Sequence, residues 1–241
     1  MSRLGARIWM GLAWILAPLM IAAVGYILTP GLIRVMGGRY YHVPGGSMKP
    51  TLLRGASVLS NPPGQMRRGA IVIARFNTLR PPVIARVVGL GGDRIAIKGG
   101  LVWLNGQPAQ MEPRPDFVEI YNPARAGARY MPRCSAPQPL PGGVCRKERW
   151  RETFADGTSH HVLNISGKIG DEANMRYLES MSQMLIPQGH LFLMGDNRDN
   201  SHDSRRYGPL PLEAVEGRVM MIQGSWQGLS PRLERFWKMV E

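Results

Sequence analysis

Residues 8–29 read IWMGLAWILAPLMIAAVGYILT and contain no charged side chain. An α-helix rises about 1.5 Å per residue, so an apolar run of this length covers the ~30 Å hydrocarbon core of a bilayer. The run predicts one transmembrane helix. A cleavable signal peptide is the alternative, but the run is long and no small-x-small cleavage site follows it closely. Arg3 and Arg7 precede the span while Arg34 and Arg39 follow it, so basic residues at the two ends balance and do not set its orientation.

The rest of the 241 residues suffices for one soluble domain with its own core. The chain holds 20 prolines and 29 glycines, a turn-rich texture that favours short strands. Its formal charge of +13 calls for an acidic partner: anionic lipid, an acidic substrate or nucleic acid. The basic residues are scattered and not interleaved with stacking aromatics, which speaks against nucleic acid. Cys134 and Cys145 are the only cysteines and lie in a Pro/Gly-rich stretch. Either they staple a loop as a disulfide, on the oxidising side of a membrane, or they are two buried thiols.

Short apolar runs bounded by turn residues predict strands at 57–60, 70–76, 83–88, 93–98 and 101–104, with a hairpin turn at Asn105-Gly106. A second hairpin, 150–154 with 161–165, surrounds Asp156-Gly157-Thr158, and strands return at 190–194 and 218–223. A helix is expected at 171–184. Leu233, Phe236, Trp237 and Val240 recur at helical spacing among basic residues, which predicts an amphipathic helix over 230–240, docked on the domain or lying in a membrane interface. The expected organisation is a tail at 1–7, the span at 8–29, a linker at 30–39, a catalytic core from 40–106 and 188–225, an inserted subdomain at 107–187, and an amphipathic segment at 226–241. The fold class is mainly β.

One segment carries chemistry. Residues 41–52 read YHVPGGSMKPTL and place Ser47 in a Gly/Pro-framed turn close after the span. This resembles the nucleophile box of the bacterial type I signal peptidases, a Pro-x-Gly-Ser-Met-x-Pro-Thr-Leu run just after a transmembrane helix. Two further boxes follow in that family's order: RVVGLGGDR at 86–94 and MGDNRDNSHDSR at 194–205. The resemblance implies a membrane-bound serine endopeptidase that removes signal peptides from exported precursors. It implies a single-pass anchor in the bacterial inner membrane, a domain on the periplasmic or extracellular side, a monomer and no cofactor.

It also implies roles. Ser47 takes the nucleophile position. A serine hydroxyl needs a neighbour to remove its proton, and in this family that base is a lysine kept neutral by burial. The lysine stands directly before the Arg-Val-Val-Gly run, and here that position is Ala85. A methyl group can neither take nor return a proton, so the chain as written is expected to be nearly inert. Alanine engineered to trap substrate and a naturally inactive paralogue that holds signal peptides or lipid without cutting both fit. Lys49 or Lys98 acting as a replacement base is a further option.

By the same resemblance, Ser201 orients the lysine and Asp203 supports Ser201. Asp196 pairs with Arg86, and Asp203 with Arg205. The Ser47 backbone NH donates into the oxyanion hole, where Gly45 stands in place of the serine some relatives carry. Val43, Met48 and Ile84 match positions lining pockets for small substrate residues, with plain core packing as the alternative. Extended substrate would add as a strand beside residues 83–85. A calcium loop over 196–210 fails on ligand spacing, so no metal is expected. A triad using His42 or His202 lacks a family position. The soluble Ser-Lys self-cleaving repressors, which share the domain type, have no such anchor.

Overall fold

The computed structural model describes residues 16–21, 24–25, 37–76, 82–122, 134–135, 139–164 and 180–240. Two compact units result, Met1–Arg39 and Tyr40–Glu241. Most of the expected span at 8–29 lies outside the described residues. Its described parts, 16–21 and 24–25, are helical, and Leu16, Leu19, Met20, Ile21 and Val24 are all exposed on them. Among the described residues no helix is long and apolar enough to cross a membrane.

The second unit is built of antiparallel strands in three sheets. The nine-stranded sheet runs in the order Arg39–His42, Ala56–Asn61, Val215–Gln227, Ile71–Ala74, Val83–Leu90, His190–Met194, Leu210–Pro211, and the small strands Ser230–Pro231 and Lys238–Met239 pair with Val215–Gln227 off this path. Its central strands are apolar almost throughout: all of Ile71–Ala74 is buried, as is most of Val83–Leu90. Such runs belong in a sheet covered on both faces. One face of strand Val83–Leu90 sends Ala85 and Val87 into a cluster with Val72, Ala74, Leu191, Leu193 and Leu210. On the other side Ile84 packs against a second cluster built on Met48, Leu52, Val58, Ile71 and Ile73.

A four-stranded sheet joins Met181–Leu185, Arg94–Lys98, Leu101–Leu104 and Gln107–Pro108. The Asn105-Gly106 turn closes it with positive φ at both residues, the backbone that an Asn-Gly pair accepts most readily. A three-stranded sheet follows, Gln110–Ile120, Val144–Thr153 and Ser159–Asn164. At its far end a disulfide joins Cys134 to Cys145, packed with Tyr121.

Two expectations are corrected. The helix at 171–184 is not formed at its described end, where Met181–Leu185 is a strand on Arg94–Lys98; residues 171–179 lie outside the described set. The helix over 230–240 is replaced by strand Ser230–Pro231, a 3-10 turn at Leu233–Arg235 and strand Lys238–Met239. Pairing decided this. Met239 lies opposite Met221 on the long strand, Phe236 packs edge-on to Trp226 at 5.6 Å, and Trp237 takes a left-handed φ of 57° that no helix continues through. Sheet backbone in need of partners outweighed a helical spacing of apolar residues.

Candidate active site

Ser47 sits in a tight turn whose Lys49 NH donates to the Gly46 carbonyl at 3.2 Å and whose Leu52 NH donates to the Met48 carbonyl at 2.8 Å. Met48 and Leu52, fully buried, root the turn in the core while Ser47 stays half-buried above it. Asn197 grips the turn from the second segment. Its backbone NH donates to the Ser47 carbonyl at 2.8 Å and its side-chain Nδ2 to the Gly46 carbonyl at 2.9 Å.

The turn and the 194–205 segment are in contact at Gly195. A Cβ there would stand 2.3 Å from Ser201 Oγ and 2.8 Å from the Ser47 carbonyl, so only glycine fits. Strand His190–Met194 pairs with Val83–Leu90 in a register that sets Met194 opposite Arg86. Residue 85 is the strand neighbour of Arg86. Its surroundings are apolar: Ala85 is 2% exposed, against Val72, Val87 and Leu193.

Two buried ion pairs hold this arrangement. Arg86 meets Asp196 with two hydrogen bonds of 2.8 Å and also donates to the Gly69 carbonyl at 2.7 Å, while Thr51 donates to the same carboxylate at 2.5 Å. Arg205 meets Asp203 with two bonds of 2.9 Å, and the Gly195 NH gives Asp203 another at 2.9 Å. Burial by itself would raise both carboxyl pKa values. The arginines opposite overcome it and hold Asp196 and Asp203 below the ordinary carboxylate range. Asp203 also accepts from Ser201, itself buried.

A third buried cluster was not anticipated from sequence. Arg198 donates to Glu152 Oε1 at 2.9 Å and to Oε2 at 2.5 Å, from the 194–205 segment onto the second hairpin. His160 Nε2 lies 3.1 Å from Glu152 Oε2 but off the line of a hydrogen bond, so it acts there electrostatically. Burial pushes the His160 pKa down, against the pull of Glu152. Leu163 completes the junction through its NH to the Asp196 carbonyl at 2.8 Å and a parallel bridge to Asn197. Pairing between residues so far apart in sequence leaves no local signal.

The remaining candidates fall as follows. Val43 and Met48 are core residues at 3% and 1% exposure, and Ile84 is half-buried at the rim of the same cluster. Gly45 lies half-buried in the bend before Ser47, and His42 and His202 are exposed. Lys49 is bound to Glu119, which also accepts from buried Lys147 at 2.9 Å; burial lowers the Lys49 pKa against the pull of Glu119. Lys98 stands 4.5 Å over the Trp103 ring in the four-stranded sheet.

Residues 12–224 match the profile of the family described as "Signal peptidase, peptidase S26". The chain belongs to that family. A signal peptidase I of Pseudomonas aeruginosa is 27% identical over 215 residues, covering 77% of this chain and 64% of the relative, so the chain spans under two-thirds of that relative's length. The signal peptidase I of Aquifex aeolicus is 28% identical over 227 residues, covering 85% of this chain and 84% of the relative. A crystal structure of a signal peptidase I from Enterococcus faecalis aligns with a TM-score of 0.32 at 20% identity, covering 64% of this chain and 96% of that one.

Proposed function

We propose that this chain has the framework of a membrane-anchored serine endopeptidase that removes signal peptides from exported precursors, and that it lacks only the base. The observation that carries this is the placement of residue 85. It is buried in an apolar wall on the strand that pairs with His190–Met194, the strand leading into Gly195 where Ser47 and Ser201 approach, and such burial is the setting in which a lysine would be kept neutral. In the reaction the Ser47 hydroxyl attacks the carbonyl before the scissile bond while a neutral amine at position 85 takes its proton. The oxyanion is held by the Ser47 NH with the Gly45 region beside it, and the proton passes to the leaving amine. Water then cleaves the acyl-enzyme by the same route in reverse. Ser201 and Asp203 orient the amine. Small substrate residues pack at Ile84 over the floor made by Val43 and Met48, with the substrate strand beside residues 83–85.

The anchor at 8–29 would hold the domain at the outer face of the bacterial inner membrane as a single-pass monomer, consistent with the disulfide at Cys134–Cys145. Ala85 itself favours a second reading, a paralogue that holds signal peptides, with or without anionic lipid, and does not cut them. Replacing Ala85→Lys and assaying cleavage of a signal-bearing precursor tests the first. Restoring the base of a nucleophile–base pair should raise the rate by about 10³-fold or more. No gain, in a folded variant that still binds the signal peptide, leaves the binding reading standing alone.

A further inference from the structure

In the three-stranded sheet, residues directly opposite share a face. Arg114 lies opposite Arg149, which lies opposite Leu163; Glu112 lies opposite Arg151, which lies opposite His161. Three arginines and a histidine therefore stand together against one carboxylate. Glu112 accepts from Arg114 Nη2 at 2.7 Å, and Arg151 Nη2 donates only to the neutral Ser159 hydroxyl at 3.1 Å. Among the described residues Arg149 has no acidic partner, and the Nε atoms of both Arg114 and Arg149 are buried without an acceptor.

Like charges directly across a sheet are destabilising, and so is a buried donor left unmet. The field is felt at His161, whose pKa is lowered by burial and then by Arg149, Arg114 and Arg151. The positive field at neutral pH is thus that of the arginines. An anionic ligand would relieve both costs. The row carrying Arg114 and Arg149 runs on through Leu163 to Asn197, whose NH holds the Ser47 carbonyl.

The surroundings choose between anionic ligands. A bilayer-binding face needs apolar side chains among its cations. The exposed Val118, Ile120 and Val144 of this sheet alternate to the opposite face, while the row beside Arg151 and His161 is Gln110, Thr153 and Ser159. That row is polar and suits a hydrated, extended chain. We propose that this face docks an acidic stretch of polypeptide, which on the reading above is the part of the precursor beyond the cut.

The test is direct binding to the full chain in detergent, with a fluorescent peptide alternating Asp and Ser as the probe. Saturable binding is expected, and it should weaken as the Debye length shrinks from ~10 Å at 0.1 M salt to ~3 Å at 1 M. Replacing Arg149→Gln and Arg151→Gln together should weaken it about tenfold, the worth of two exposed ion pairs. Arg75→Gln, on the large sheet, should leave it unchanged. Should the double variant melt early, Arg151→Gln alone, at the exposed end, carries the comparison. Equal binding of an Asn-for-Asp peptide, or undiminished binding by the substituted chain, overturns the proposal. So does a result in which phosphatidylglycerol vesicles, but not the peptide, are bound through these arginines. Binding needs no turnover, so a failure of Ala85→Lys to cleave leaves this result intact, and the reverse also holds.

Discussion

Strand Val83–Leu90 has two unlike neighbours in sequence, Arg86 and Ala85, on opposite faces. Arg86 is saturated: its guanidinium meets Asp196 twice and the Gly69 carbonyl once, at 1% exposure. Ala85 packs into a hydrophobic cluster with Val72, Val87 and Leu193. A buried charge must be matched group by group, so removing one partner from the ionic side leaves the other uncompensated and costs stability. The apolar side tolerates a methyl group with no such penalty. On the reading proposed above, the contrast teaches that the frame of a catalytic centre and its chemistry can be separated at adjacent residues, because stability rests on the first far more than on the second.

The sharpest way to break this contrast is kinetic. If the apolar side is where chemistry was lost, then adding Ser47→Ala to the Ala85→Lys variant should abolish the gained cleavage, a fall of about 10³-fold or more, with little change in melting temperature. Cleavage that survives in the double variant would place the nucleophile elsewhere. The ionic side predicts the opposite pattern. Asp196→Ala leaves Arg86 buried and unpaired, which should cost about 3–5 kcal/mol in urea unfolding whether or not residue 85 is lysine. A loss under ~1 kcal/mol, no more than an exposed ion pair is worth, would show that the pair is not what holds the segment.

Acid should sharpen the distinction further. His160 is held below its ordinary value of 6.5, so between that pH and its folded pKa the unfolded chain binds more protons. Stability therefore falls as pH drops below 6.5. Asp196 and Asp203 are held below 3.8, so their contribution, complete above that value, is lost as pH falls through their folded pKa values. His160→Gln should flatten the first limb and leave the second, as read from melting temperature against pH. At the small end stands Arg75 with Glu216, a half-exposed pair; Arg75→Ala should change unfolding free energy by less than ~1 kcal/mol. A larger effect would mean that surface pairs contribute as much as the buried ones do.

The segments that make up the candidate site could be picked out in the sequence because each is local. The turn around Ser47, the apolar run of Val83–Leu90 and the Gly195-to-Arg205 segment each declare themselves within a few residues. The strands at 71–74, 101–104 and 190–194 were legible for the same reason: continuous apolar runs between glycines and prolines admit few other readings. What escaped was long-range. Glu152 and His160 take their meaning from Arg198, and no spacing in the chain announces that pairing. The C-terminal residues carried a true helical spacing, but the long strand Val215–Gln227 offered them backbone partners, and a spacing of side chains says nothing of that.

The bridge from Leu163 to Asn197 has a mechanical consequence. Asn197 holds the Ser47 turn by two hydrogen bonds, and its other neighbour is the edge of the three-stranded sheet. That sheet is a lever whose short end rests on Ser47. A force applied to the long ribbon, by a docked chain or by a crosslink at its tip, would reach the Ser47 turn through the buried pair Leu163 and Asn197.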